Sequence, residues 1–275
     1  MAGAAAAEED GGARRGALSD WLLPAAGGLS FLVAWEGLVA AFSVSRFILP
    51  PPSAILATLW TDRAALAEAL SFTAAITLAA FLLALLSGVT LGVLLTQNRT
   101  IERTFWPYAV MMQVTPVIAI APIIVIWTGL DRVWLALLIL AWLVAFFPIL
   151  SNTAAGMKSV DHGLRNLFDL NGASRWKRFR LLQLPGALPY ILAGARISAG
   201  LSVIGAIVAE FVAGSGASTG LAWVIVESGS LLNVPRMFAA LVLLSAFGIS
   251  IWLVMAAVQT ALLRRWHESE VTREN

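Results

Sequence analysis

Six apolar runs, at about 21–42, 72–95, 105–128, 133–151, 190–213 and 238–262, dominate this chain. Each is close to or above the roughly 20 residues a helix needs to cross a bilayer. Hydrocarbon leaves no partner for an open backbone N–H or C=O, so spanning segments must satisfy their own hydrogen bonds. The runs therefore predict an all-α membrane protein with six transmembrane helices. Composition agrees, with 59% hydrophobic and 12% charged residues, where soluble domains hold about 45–50% and about 25%. The third run carries Pro107, Pro116 and Pro122. Proline breaks an ordinary helix and is tolerated in a membrane where neighbours serve the freed backbone, so this run reads as one span or as two shorter pieces.

Lys and Arg in short loops set the orientation. With the N-terminus inside, the inner segments hold thirteen of them: Arg14, Arg15, Arg99, Arg103, Lys158, Arg165, Arg175, Lys177, Arg178, Arg180, Arg264, Arg265 and Arg273. The outer segments hold four, Arg46, Arg63, Arg132 and Arg236. Both termini are expected in the cytoplasm. Residues 1–18, rich in Ala, Gly and acids, read as a disordered cytoplasmic tail. The apolar stretch after Arg14 and Arg15 is longer than the roughly 7–15 residues of a signal-peptide core, so the first span is expected to stay uncleaved. The expected layout is this tail, a first span with its outer segment (19–66), a transmembrane core (67–263) and a second cytoplasmic tail (264–275).

Absences limit the chemistry. There is no cysteine, which removes disulfides, thiol catalysis and Cys-ligated metals. His162 and His267 are isolated, so no metal site is expected. Lys158 and Lys177 are the only lysines, and neither sits in a Gly-x-x-x-x-Gly-Lys-Ser/Thr sequence. A phosphate-cradling loop cannot be built from such a chain. No catalytic residue and no cofactor is assigned to it.

The inner segment 152–189 is the only strongly basic region. Leu164, Leu167, Phe168 and Leu170 line a single apolar face of its first helix. Asn171-Gly172 is a helix stop and Ser174 a cap for the next helix. Trp176, Phe179 and Leu182 line one side of that helix, with Arg175, Lys177, Arg178 and Arg180 around the rest, and Pro185 is expected to end it. Two readings stay open: an amphipathic helix lying on lipid, and a docking element for a partner on the inner side.

The spacing of Gly172, Leu182 and Leu184-Pro185 resembles the EAA-loop signature of binding-protein-dependent ABC importer permeases. That signature is Glu-Ala-Ala, three residues, Gly, nine residues, Ile, one residue, Leu-Pro. The run Gly172–Trp176, the stretch Leu184–Phe211, Leu49–Ser53 and Pro116–Gly129 are similar to the sulfonate, taurine, nitrate and pyrimidine-precursor branch, and the likeness covers about 30–265. Residues 170–172 and 179–185 look nearest the vitamin-precursor permeases. The resemblance implies a type I ABC importer transmembrane domain with a cytoplasmic coupling helix, in a bacterial inner membrane. It implies an ATP-binding cassette ATPase dimer seated on that helix, an extracytoplasmic binding protein that delivers a small solute, and a second permease chain forming a homodimer. Nucleic acid is not among the implied partners. The ATPase-coupling residues would be Asn166, Leu167, Phe168, Asp169, Gly172, Ala173, Ser174 and Arg175. The chain departs from the signature at the Glu-Ala-Ala positions, which are Asn166, Leu167 and Phe168, with Asp169 the nearest acid.

Ionisable groups within spans are costly and face protein or water. Arg196 and Glu210 lie fourteen residues apart, about 21 Å along one helix, too far to pair with each other. Gly194, Ser198, Ser202 and Ala206 fill a stripe between them that would let another helix approach closely. Arg196 and Glu210 either tie the bundle together or line the pathway. Met112 and Gln113, with Met111 in the proline-broken run, are pathway candidates, whereas Glu36 in the first span reads as structural. Trp223 and its apolar neighbours suggest a short interfacial helix within the outer segment 214–237. The competing functions are an ion-coupled secondary transporter, for which no inverted repeat is visible, and a membrane-embedded enzyme, for which no paired carboxylates or His cluster exist.

Overall fold

The structure, a computed structural model, describes residues 2–213 and 220–263, with side chains from Leu22 onward. Among these residues there is no strand. The helices are α1 (Ala2–Ala41), α2 (Pro52–Thr61), α3 (Arg63–Gln97), α4 (Arg99–Val114), α5 (Val117–Thr128), α6 (Val133–Lys158), α7 (His162–Leu170), α8 (Arg175–Arg178), α9 (Leu184–Ala213), α10 (Leu221–Ser230) and α11 (Val234–Leu263). Among the described residues five stretches are long and apolar enough to cross a membrane: Leu22–Ala41, Arg63–Gln97, Leu130–Lys158, Arg175–Ala213 and Val234–Leu263. The third run, at about 105–128, is not one straight helix. It is the pair α4 and α5, bent by 98° at Thr115–Pro116. The break falls there because Pro116 lacks the N–H that would continue α4 and pushes Thr115 into extended backbone.

Two compact units divide the chain, residues 1–63 with 228–239 and residues 64–227 with 240–275. In the first, α1 begins at Ala2, so residues 2–18, expected to form a disordered tail, are helical. Ala, with Glu, Arg and Leu, favours a helix there, against the opposing preference of Gly3, Gly11, Gly12 and Gly16. Glu36 of α1 caps α2: its carboxylate accepts from the Ser53 N–H at 3.0 Å and from the Ser53 hydroxyl at 2.7 Å. The Trp35 ring lies between Phe31 and Phe238, with centroids 6.1 and 6.0 Å away.

In the second unit α6 and α9 form the centre. About half of the most apolar window of each is buried, against 6% for α11. They run antiparallel at close range because small residues face each other. A Cβ on Gly205 would stand 2.9 Å from the Ala141 Cα, Ser198 Oγ donates to the Ala145 carbonyl at 2.6 Å, and Ala187 meets Gly156. The stripe predicted on α9 is therefore its α6-facing side: Gly194, Ser198, Ser202 and Ala206 are all buried. On its other side α6 receives α3. A Cβ at Gly92 would come within 2.7 Å of the Thr153 Cβ, and the Trp142 indole donates to Ser87 at 3.0 Å. Ile76, Ala80, Leu137, Leu140, Ala206 and Ala209 fill one end of the core, and Ala84, Phe146, Ile149 and Leu150 the next layer.

One expectation about the basic segment fails. Pro185 does not end a helix. From α8 the chain passes through a π-helical turn (Phe179–Gln183) straight into α9, with Leu184 still in the α conformation. Pro185 sits in the first turn of α9. Its missing N–H costs little where the ladder has just widened from i→i+4 to i→i+5 bonding.

Candidate functional site: the elbow between α6 and α9

The elbow holds every residue singled out for coupling. Asp161 opens α7, its carboxylate accepting from the Leu164 N–H at 3.1 Å. The helix closes at Asn171, and Gly172 turns the chain with φ of +65°. Two bonds complete the stop: the Gly172 N–H to the Asp169 carbonyl at 3.0 Å, and the Ala173 N–H to the Phe168 carbonyl at 2.9 Å. This is a Schellman end, in which one left-handed residue satisfies carbonyls left over by the last turn. Space at Gly172 is open, so glycine is needed there for its backbone conformation alone. Ser174 then caps α8, its hydroxyl accepting from the Lys177 N–H at 3.3 Å.

Two arginines clamp the elbow. Arg178 of α8 forms an ion pair with Asp169 of α7. Arg165 donates from Nη2 to the Met157 carbonyl at the end of α6, at 3.2 Å. Lys158 pairs with Glu102, which joins the same end of α6 to α4. Along one side of α7 an apolar ridge stands uncovered: Leu164, Leu167 and Leu170 are 47%, 52% and 86% exposed. Asn166, Asp169, Gly172, Ser174 and Arg175 are exposed as well, whereas Phe168 and Ala173 are half-buried. A short helix, capped at both ends, thus presents a leucine ridge ending in a glycine turn.

The polar residues of the spans lie elsewhere and do not meet. Arg196 stacks over the Trp252 ring at 4.9 Å and donates to Gln259 Oε1 at 3.4 Å, both on α11. Glu210 is wholly buried, bonded to Thr73 of α3 and to the start of α10. Met112 lines an apolar hollow of about 550 Å³ with Leu91, Phe105, Tyr108, Phe146 and Leu150, and Gln113 is exposed next to the α4–α5 break. Among the described residues no group of three or more His, Cys, Asp or Glu could hold a metal.

The profile of the binding-protein-dependent transport system inner membrane component family matches residues 88–268, which include the whole elbow. The chain belongs to this family of ABC importer permeases. This permease is 33% identical over 246 residues to the riboflavin transport system permease protein RibX of Chloroflexus aurantiacus, covering 86% of this chain and 87% of that one. It is equally, 33%, identical over 236 residues to the formylaminopyrimidine transport permease protein ThiX of Halalkalibacterium halodurans, covering 86% and 92%. Its fold is similar to that of an inward-facing MetNI methionine ABC transporter chain, with a TM-score of 0.59 at 21% identity, over 71% of this chain and 95% of the other. Membership sets aside the ion-coupled transporter and the embedded enzyme, and the permease is a transport subunit.

Sequence reading named the face of the elbow and missed its clamps. Arg165 and Arg178 counted only as inner positive charge. The signal that would have found them is position: each lies on its helix away from the apolar ridge. Asp169, the acid nearest the Glu-Ala-Ala positions, is held by Arg178. The α10 helix confirms a short helix around Trp223; residues 214–219 of that outer segment and the tail 264–275 lie outside the described residues.

Proposed function

We propose that this permease is one half of an importer in which a separate ATP-binding cassette dimer seats on α7 of each of two identical permease chains, with an extracytoplasmic binding protein delivering the solute. The observation that carries this reading is the leucine ridge of α7, left exposed yet fixed by caps at both ends and by two arginine clamps. An amphipathic helix laid into an apolar groove is a recurrent docking mode. The chain has no ATP-binding loop of its own, which supports a second polypeptide as the source of work. The positive-inside distribution supports an inner-membrane orientation with both termini and the elbow in the cytoplasm. The pathway surface is assigned to the α4–α5 break, with Met111, Met112 and Gln113, because irregular backbone at membrane depth belongs against protein or water.

For the cargo, the 33% relatives named for riboflavin and formylaminopyrimidine favour a flavin-type or pyrimidine-type vitamin or its precursor. Two experiments test these statements. Leu167→Asp with Leu170→Asp should leave membrane insertion intact and abolish co-purification of the co-expressed ATPase; an intact complex would overturn the docking role. The cognate binding protein should gain thermal stability with riboflavin or formylaminopyrimidine and not with taurine; the reverse result would move the permease to the sulfonate branch.

A further inference from the structure

The start of α10 is tied to the bundle by one carboxylate and one hydroxyl. Glu210, near the end of α9, accepts at Oε1 from the Thr73 hydroxyl at 2.8 Å and at Oε2 from the Ala222 N–H at 2.9 Å. The Thr73 oxygen in turn accepts from the Leu221 N–H at 2.9 Å, so its own hydrogen is free to go to Glu210. The first helical bond of α10 runs from the Val224 N–H to the Gly220 carbonyl at 3.0 Å, which makes Gly220 the capping position. A Cβ at 220 would collide with the Glu210 carboxylate. The carboxylate of α9 therefore occupies the place where an Asp or Ser at position 220 would normally cap the helix.

The cluster is sealed: Thr73, Glu210, Leu221 and Ala222 are all inaccessible to solvent. Among the described residues no Lys or Arg forms an ion pair with Glu210. Its interaction partners are a hydroxyl and the amide dipoles at a helix N-terminus. Such a group is held only while all three elements stay together. If α10 moves off, the carboxylate loses the Ala222 amide at once, and Thr73 loses the Leu221 amide.

We propose that Glu210, through Thr73, is a positioning residue that latches the start of α10 onto α3 and α9, and that this latch must open for the outer end of the permease to open during transport. The inference rests on the orientation given under Proposed function, which puts α10 on the outer side. It concerns a residue distinct from the elbow that takes up the ATPase.

The native absence of cysteine makes the test direct. Val224 is buried in the first turn of α10, and Val224→Cys changes little volume there. Labelling of this thiol by a membrane-impermeant maleimide is followed in right-side-out and inside-out vesicles holding the complete transporter. Glu210→Gln turns an amide donor toward a donor already present, and Thr73→Val removes the hydroxyl from both bonds. Each should speed labelling about ten-fold, the expected effect of leaving one buried hydrogen bond unmade. Each should also raise ATP hydrolysis per solute imported, while Thr73→Ser restores both values. Gly205→Ala, which strains the α6–α9 contact, serves as a control and should lower thermal stability without raising labelling. Wild-type labelling in Glu210→Gln and Thr73→Val, or faster labelling in Gly205→Ala to the same degree, overturns the latch. Acceleration seen only in inside-out vesicles overturns its outer-side role and, separately, the orientation, whereas a loss of ATPase binding would strike the elbow reading alone.

Discussion

Glu36 and Glu210 do the same job at opposite ends of the sequence. Each sits in a long helix and caps a short one that has no side chain suited to the task, α2 behind Pro51 and α10 behind Gly220. Both were legible as charge in an apolar run, which fixes that they must be satisfied. Their partners were not legible, because Thr73 lies 137 positions from Glu210 and no local spacing connects them. Gly172 is the opposite case: its role is local, so Asn-Gly before a capping Ser was enough to predict the turn. An alanine at 172 adds no collision but pays the left-handed backbone cost of about 1–2 kcal/mol. Uptake by Gly172→Ala should fall partially, and Gly172→Pro should abolish it while flotation assays show normal membrane insertion. Full transport by Gly172→Pro would remove the need for the Schellman end.

At the scale of elements, hydrophobic runs predicted where helices cross and misjudged where they stop. The run expected at 72–95 belongs to a helix of 35 residues, Arg63–Gln97, because hydropathy marks only the portion immersed in lipid. The proline-rich run left two readings, and the 98° bend shows it built as two shorter helices. Pro185 misled for a related reason: proline forbids a bond only where one would be made, and the π-helical turn before it has already shifted the ladder. The bend has a testable surface. Single cysteines at Met111, Met112 and Gln113 should react with a small charged thiol reagent in the assembled transporter, and solute should slow the reaction. Uniform protection would place this segment against lipid and move the pathway elsewhere.

For the whole molecule, the small-residue stripe on α9 was readable at four-residue spacing, and the structure adds that α6 is the helix it faces. The matching glycines of α3 were not recognised, since Gly88 and Gly92 sit in a run that looks uniformly apolar. The second unit is consequently packed backbone to backbone, and bulk is poorly tolerated at its centre. Gly92→Leu should lower stability by about 1–3 kcal/mol through overpacking, read as a lower melting temperature of the purified permease in detergent. An equal change at Gly200, which has open space around it, should leave the melting temperature nearly unchanged.

The elbow's two clamps also determine what a push on α7 can do. With Arg165 fastened to the end of α6 and Arg178 to Asp169, the tip cannot simply swivel on Gly172. A load on the tip is therefore shared, as by a crank, between the two central helices it joins, and through Lys158 and Glu102 it also reaches α4.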